Sequence, residues 1–94
     1  MAIRSYKDKS VERFHADGLA PKAWRACAAT ALRKLDMIAA AAVLADLKAP
    51  PGNRLEALKG DRKGQHSIRI NGQYRICFRW TVQGAESVEI VDYH

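Results

Sequence analysis

The apolar residues of this chain repeat every three to four positions before Pro50-Pro51-Gly52 and every two positions after it. That change of period at a Pro-Pro-Gly break restricts the chain to helices first and strands second, because a helix-spaced stripe does not match a pleated surface. Helices followed by a run of strands indicate an α+β architecture, a small, mostly antiparallel twisted sheet with N-terminal helices packed on one face. At 94 residues, a single domain over 1–94 with a single core is expected, and any site on it is a surface rather than a deep cleft.

In the first half, Ala2-Ile3-Arg4-Ser5-Tyr6 reads as a short strand, and residues 7–16 as a helix whose Val11, Phe14 and His15 can face inward until Asp17-Gly18 ends it. Pro21 suits a helix start. From there Trp24, Cys27, Ala28, Ala31, Leu32, Leu35 and Ile38 line one face of a helix of roughly five turns, with Lys22, Arg25, Arg33, Lys34 and Asp36 outside. A further short helix is expected over Val43-Leu44-Ala45-Asp46-Leu47.

In the second half, residues 54–58, 65–70, 73–80 and 87–92 read as four strands of a meander, interrupted by a glycine-bounded charged loop, by Asn71-Gly72 and by Gln83-Gly84. A two-residue Asn71-Gly72 turn would set Ile68 opposite Arg75 and mix apolar with basic side chains. A turn one residue longer pairs Ile70 with Tyr74 and Ile68 with Ile76, and this register is preferred. It places Ile68, Ile70, Tyr74, Ile76, Phe78 and Trp80 toward the helices. Ser67, Arg69, Arg75, Cys77 and Arg79 then share the opposite face, where arginines can grip phosphate oxygens and stack on bases.

Charge strengthens that reading. The net charge is +6, and seven cations (Arg54, Lys59, Arg62, Lys63, Arg69, Arg75 and Arg79) stand against only Glu56 and Asp61 between positions 54 and 79. Such a basic segment attracts nucleic acid, an anionic membrane or an acidic partner, and charge alone does not choose among them. The longest apolar run, residues 37–45, is too short to cross a bilayer, and the N-terminal residues carry no secretory pattern. Cys27 and Cys77 are far apart and form no C-x-x-C pair, which suits reduced thiols in the cytoplasm. His15, His66 and His94 have no metal-ligand spacing, so neither a metal nor a cofactor is expected.

Two clusters are candidates for chemistry. Lys59-Gly60-Asp61-Arg62-Lys63-Gly64 offers three cations on a tight loop, without the spacing of a Walker loop. Asp92-Tyr93-His94 offers an acid, a phenol and an imidazole, groups that can move protons. Strand alternation alone points Asp92 and His94 one way and Tyr93 the other.

Taken together, Ile3-Arg4-Ser5-Tyr6-Lys7, Arg54-Leu55, Leu58-Lys59-Gly60-Asp61-Arg62, Ser67-Ile68, Asn71-Gly72-Gln73-Tyr74-Arg75-Ile76 and Asp92-Tyr93-His94 span nearly the whole chain. In these blocks it resembles HigB-type toxins (plasmid maintenance system killer proteins) of the RelE superfamily. The resemblance implies a RelE-like fold and a ribosome-dependent endoribonuclease that cuts messenger RNA in the ribosomal A site without metal, using the RNA 2′-OH. It implies a phosphate-binding role for Lys59 and Arg75 and proton transfer shared among His94, Tyr93 and Glu56, with Asp92 orienting its neighbours. Arg62, Lys63, Arg69 and Arg79 would hold RNA. Glu56 stands where several family members carry histidine; a carboxylate can act as a base but supplies no positive charge. The implied partner is a HigA-like helix-turn-helix antitoxin, with DNA reached only through that complex. Two other readings stay open: a catalytically weak binding module acting through its antitoxin at a promoter, and general nucleic-acid binding by charge.

Overall fold

The computed structural model describes residues 3–92. Helix α1 (Lys9–Asp17) turns Val11 and Phe14 into the core and stops at Gly18, whose φ of 79° lets its N–H reach the Phe14 carbonyl. The stripe that begins at Trp24 is not one helix. It is a 3-10 helix (Lys22–Cys27) followed by α2 (Ala28–Ala40), because Trp24 leaves helical geometry at φ −127°, ψ 25°. The turn seats the indole edge-on against Phe14, with ring centroids 4.7 Å apart.

Lys34, expected on the outer face, is buried at 5 % exposure. Its ammonium donates to Asn53 Oδ1, while the Asn53 amide donates to the carbonyls of Leu47 and Ala49 at 3.2 Å each. The polar plug ties α2 to the 3-10 helices Leu44–Lys48 and Pro51–Asn53, the first of which matches the short helix expected there. Burial holds the Lys34 amine below its ordinary pKa, with Arg33 and Arg69 adding to the effect.

Strands β1 (Glu56–Ala57), β2 (His66–Arg69), β3 (Tyr74–Thr81) and β4 (Gly84–Asp92) form an antiparallel sheet in the order β1-β2-β3-β4. Ile68 pairs with Ile76, and the Ile70 N–H donates to the Tyr74 carbonyl at 2.9 Å, as the longer turn requires. The Asn71 side chain closes that turn by accepting from the N–H groups of Gln73 and Tyr74. The first strand is shorter than residues 54–58, because Arg54 adopts φ 46° and spends its carbonyl on a side chain rather than on the ladder. The N-terminal segment makes isolated parallel bridges to β4, Ile3 with Ala85 and Tyr6 with Val88. Ala2 of the expected first strand lies outside the described residues. Opposite Phe78 the ladder slips by one residue, with Ser87 at φ 52° taking up the bulge.

Helices and sheet enclose one cluster in which Ala31, Leu35, Ile38, Ile68, Ile76 and Phe78 have no exposed surface. Among the described residues no helix is long and apolar enough to cross a membrane.

Candidate functional site

The sheet face turned away from the helices is not the open row of arginines that alternation predicts. Ser67, Arg75, Cys77 and Glu89 lie along it, all of them buried, with Arg75 only 8 % exposed. Arg69 is half-buried and Arg79 exposed. Directly opposite arginines repel, and Arg69 pairs with Arg75 across β2 and β3. That repulsion is offset by folding Arg75 down into a set of acceptors.

The Arg75 guanidinium is gripped along every edge. Its Nε donates to Ser67 Oγ at 2.8 Å, Nη2 to the Arg54 carbonyl at 2.6 Å and to the Ser67 carbonyl at 3.4 Å, and Nη1 lies 3.3 Å from Glu56 Oε1. The first three acceptors are backbone atoms or a buried hydroxyl. Glu56, whose side chain is 55 % exposed, is the contact that a rotamer change can release. Arg75 is therefore a cation with a fixed orientation, screened on one edge by a movable carboxylate.

The charged loop borders this face. Leu58 anchors it, 7 % exposed, with its N–H donating to the Gln65 carbonyl at 2.9 Å. Lys59 precedes the 3-10 helix Gly60–Arg62, which is closed by Arg62 N–H to the Lys59 carbonyl (3.2 Å) and Lys63 N–H to the Gly60 carbonyl (3.1 Å). Gly64, at φ 93°, passes so close to Arg79 that a Cβ there would sit 2.6 Å from Nη1. Arg79 Nη1 donates to the Gly64 carbonyl at 3.4 Å. Lys59 and Lys63 are exposed, while Arg62 reaches back to Glu89 Oε2 at 3.0 Å and to Gln65 Oε1 at 3.2 Å. Lys7 meets the same Glu89 oxygen at 3.4 Å.

Asp92 ends β4 opposite Tyr74, and its Oδ2 accepts from Gln73 Nε2 at 3.0 Å. Alternation places it with Ile90 and Tyr74 on the helix side of the sheet, at the sheet's end. Tyr93 and His94 lie outside the described residues. The structure thus brings Arg75, Glu56 and the Lys59–Arg62 loop to one side of the sheet and sets Asp92 at the margin of the other.

Three participants were not singled out from the sequence. Ser67 was placed on the correct face but without a task; its pairing opposite Cys77, one step from Arg75, was the available signal. Glu89 lies in the last expected strand and Lys7 in the first matched block, neither with a task. The sequence gives no sign that Lys7 and Arg62 meet at Glu89. Burial pushes the Cys77 thiol above its ordinary pKa, and Arg62, Glu89, Arg75 and Lys7 all act on it electrostatically.

Away from this face, His15 accepts or donates on both sides, with Tyr6 Oη 2.6 Å from Nδ1 and Asp36 Oδ1 2.8 Å from Nε2. The carboxylate calls for a proton on Nε2, so in the neutral ring Tyr6 donates to Nδ1. This chain clamps the N-terminal segment and α1 to α2. Among the described residues no three His, Cys, Asp or Glu side chains converge as metal ligands.

Comparisons with known proteins bear on the fold and the family. Residues 4–94 match the family described as the RelE-like toxin of type II toxin-antitoxin system HigB. Toxin HigB-1 of Vibrio cholerae is 42% identical over 90 residues, covering 95% of this chain and 94% of the relative. An uncharacterized protein of Haemophilus influenzae is 46% identical over 48 residues, about half of each chain. Among solved structures, the YoeB-YefM complex from Staphylococcus aureus superposes with a TM-score of 0.56 at 17% identity, over 98% of this chain and 94% of that one. The YoeB/ParE toxin from Agrobacterium tumefaciens gives 0.57 at 20% identity over the whole of both chains. At those identities the two structures speak for the fold, while the match over residues 4–94 and the Vibrio relative speak for the family. The α+β fold with its meander sheet is RelE-like, and the chain belongs to the HigB family of toxins of type II toxin-antitoxin systems.

Proposed function

We propose that this toxin is a ribosome-dependent endoribonuclease that cuts messenger RNA in the A site. The observation that carries the reading is Arg75, a buried guanidinium held by Ser67 and the Arg54 carbonyl and bordered by a hydrogen-bonded basic loop. A cation oriented before substrate arrives stabilises developing charge without reorganising, which is what a phosphorane-like transition state rewards.

In this reading the RNA 2′-OH attacks the adjacent phosphorus, the 5′-oxygen leaves, and no metal is required. Lys59 and Arg75 hold the phosphate. Glu56, 3.3 Å from Arg75 Nη1, moves off as the phosphate arrives and stands close enough to serve as a base. Tyr93 and His94 share the remaining proton transfers, with Asp92 orienting them. Arg62, Lys63, Arg69 and Arg79 hold the strand on either side. The ribosome supplies substrate geometry that a shallow face lacks. A HigA-like helix-turn-helix antitoxin would restrain the toxin in the cytoplasm and carry it to DNA.

The Glu56 to Arg75 contact also favours a second reading, a weakly catalytic module whose main work is antitoxin binding and promoter repression, since a carboxylate already occupies the phosphate's cation. Inducing the chain without antitoxin and mapping message 5′ ends separates the two. New ends on translated messages support the nuclease; intact messages with tight antitoxin binding support the module.

A further inference from the structure

Glu89 is out of place on a phosphate-binding surface. It is 9 % exposed and lies on the face that carries Arg75, where a carboxylate repels the ligand the other side chains attract. A single oxygen, Oε2, takes both Arg62 Nη1 at 3.0 Å and Lys7 Nζ at 3.4 Å. Those two cations come from segments far apart in sequence, the N-terminal segment before α1 and the charged loop. Their side chains are 29 % and 59 % exposed, so each presents its outer surface while its charge is anchored beneath. Cys77, paired with Glu89 across β3 and β4, has no exposed surface. An unanchored Arg or Lys would sweep several rotamers over this surface. A shared buried anchor restricts that freedom and ties both cations to the face that carries Arg75.

We propose that Glu89 is a positioning residue for RNA cleavage, holding Arg62 and Lys7 where the phosphates flanking the scissile bond must lie. The proposal rests on the nuclease reading above and deepens it. A positioning carboxylate has a signature that a structural or purely electrostatic one lacks. Its removal slows the chemical step while leaving RNA binding as tight or tighter, because one repulsive charge has gone.

The test measures kcat and KM on translating ribosomes, together with the affinity of the free protein for a 2′-deoxy oligonucleotide, for wild type, Glu89→Gln, Glu89→Asp, Arg62→Gln and Lys7→Gln. Glu89→Gln is expected to lower kcat about tenfold or more while oligonucleotide affinity holds or rises about two- to fivefold. Glu89→Asp keeps the charge but shortens the reach, so kcat falls with no gain in affinity. Once Arg62→Gln is present, adding Glu89→Gln costs less than it does alone. Unchanged kcat in Glu89→Gln, or parallel loss of kcat and affinity, overturns the proposal. If Glu89→Gln does not fold, the partly exposed Arg62→Gln and Lys7→Gln variants decide, and wild-type kcat in both overturns it. If wild type itself cuts nothing, the nuclease reading fails. The NMR order parameter of the Arg62 Nε–H then judges the anchoring, with a drop in Glu89→Asp supporting it and no change overturning it.

Discussion

Replacing Ser67 with alanine isolates the support beneath Arg75. The hydroxyl has no exposed surface and accepts from Arg75 Nε at 2.8 Å, so no water takes its place when it is removed. A hydrogen bond to a charged group is worth about 1.5–3 kcal/mol, and in a domain of this size each kcal/mol moves the melting temperature by about 4–8 °C, giving a fall of roughly 6–24 °C. The Glu56 contact reaches the same guanidinium but from a side chain that is 55 % exposed. Solvent screening leaves such a pair about 0.2–1 kcal/mol, so Glu56→Gln is expected to shift the transition by only a few degrees. Urea unfolding with both variants at one ionic strength reads the difference, provided the denaturant slope is unchanged. Equal losses, or a Ser67→Ala variant within about 0.5 kcal/mol of wild type, would refute the idea that Arg75 is held from below and only screened from above.

Gly64→Ala combines a positive φ of 93° with a 2.6 Å approach to Arg79, whereas Gly18→Ala at φ 79° meets nothing within 4 Å. Because the exposed Arg79 side chain can swing away from a Cβ at position 64, thermal melts should show the two variants losing similar amounts, each the cost of the left-handed backbone, about 1–2 kcal/mol. For Cys77, burial raises the thiol pKa, so the folded chain keeps its proton above pH 9.0 where the unfolded chain has lost it. Its contribution to stability is complete below pH 9.0 and declines as pH rises through the folded value; timed alkylation with peptide mapping should label the half-buried Cys27 first. For Lys34 the sign is reversed: its pKa is lowered by burial, so carrying the charge costs stability at neutral pH and that cost is relieved as pH rises toward 10.5. Comparing wild type with Lys34→Met between pH 7 and pH 10 should show the mutant's relative stability falling as pH rises.

Local pattern carried most of the fold. Side-chain alternation selected the turn at Asn71-Gly72-Gln73, because only that register keeps Ile68 and Ile76 on one face, and the structure pairs them. Turn chemistry at Gly18 and Asn71 also acted locally and was legible. What escaped depended on contacts distant in sequence. The break at Trp24 answers to Phe14, the burial of Lys34 answers to Asn53, and the shortened β1 answers to a carbonyl claimed by Arg75. None of these partners is within a helical turn of the residue it affects.

The candidate site divides the same way. Alternation pointed to Arg69, Arg75 and Arg79 as cations on one side of the sheet, and the charged loop to Lys59, Arg62 and Lys63. Alternation tells which face a side chain leaves from, but not how far it then folds over. Arg75 was therefore expected open and is buried, and Glu89, an ordinary acid in the sequence, is the anchor of two cations.

The central claim is that a pre-oriented Arg75 makes this face a cutter of translated RNA. Purified wild type and Arg75→Lys should be compared on the same message, free and engaged by ribosomes, with 5′ ends mapped. Lysine keeps the charge but cannot meet Ser67, the Arg54 carbonyl and Glu56 together. The account predicts ribosome-dependent cleavage by wild type and a loss of about tenfold or more in Arg75→Lys. Equal cleavage by the two proteins, or no cleavage by wild type on translating ribosomes, would contradict it.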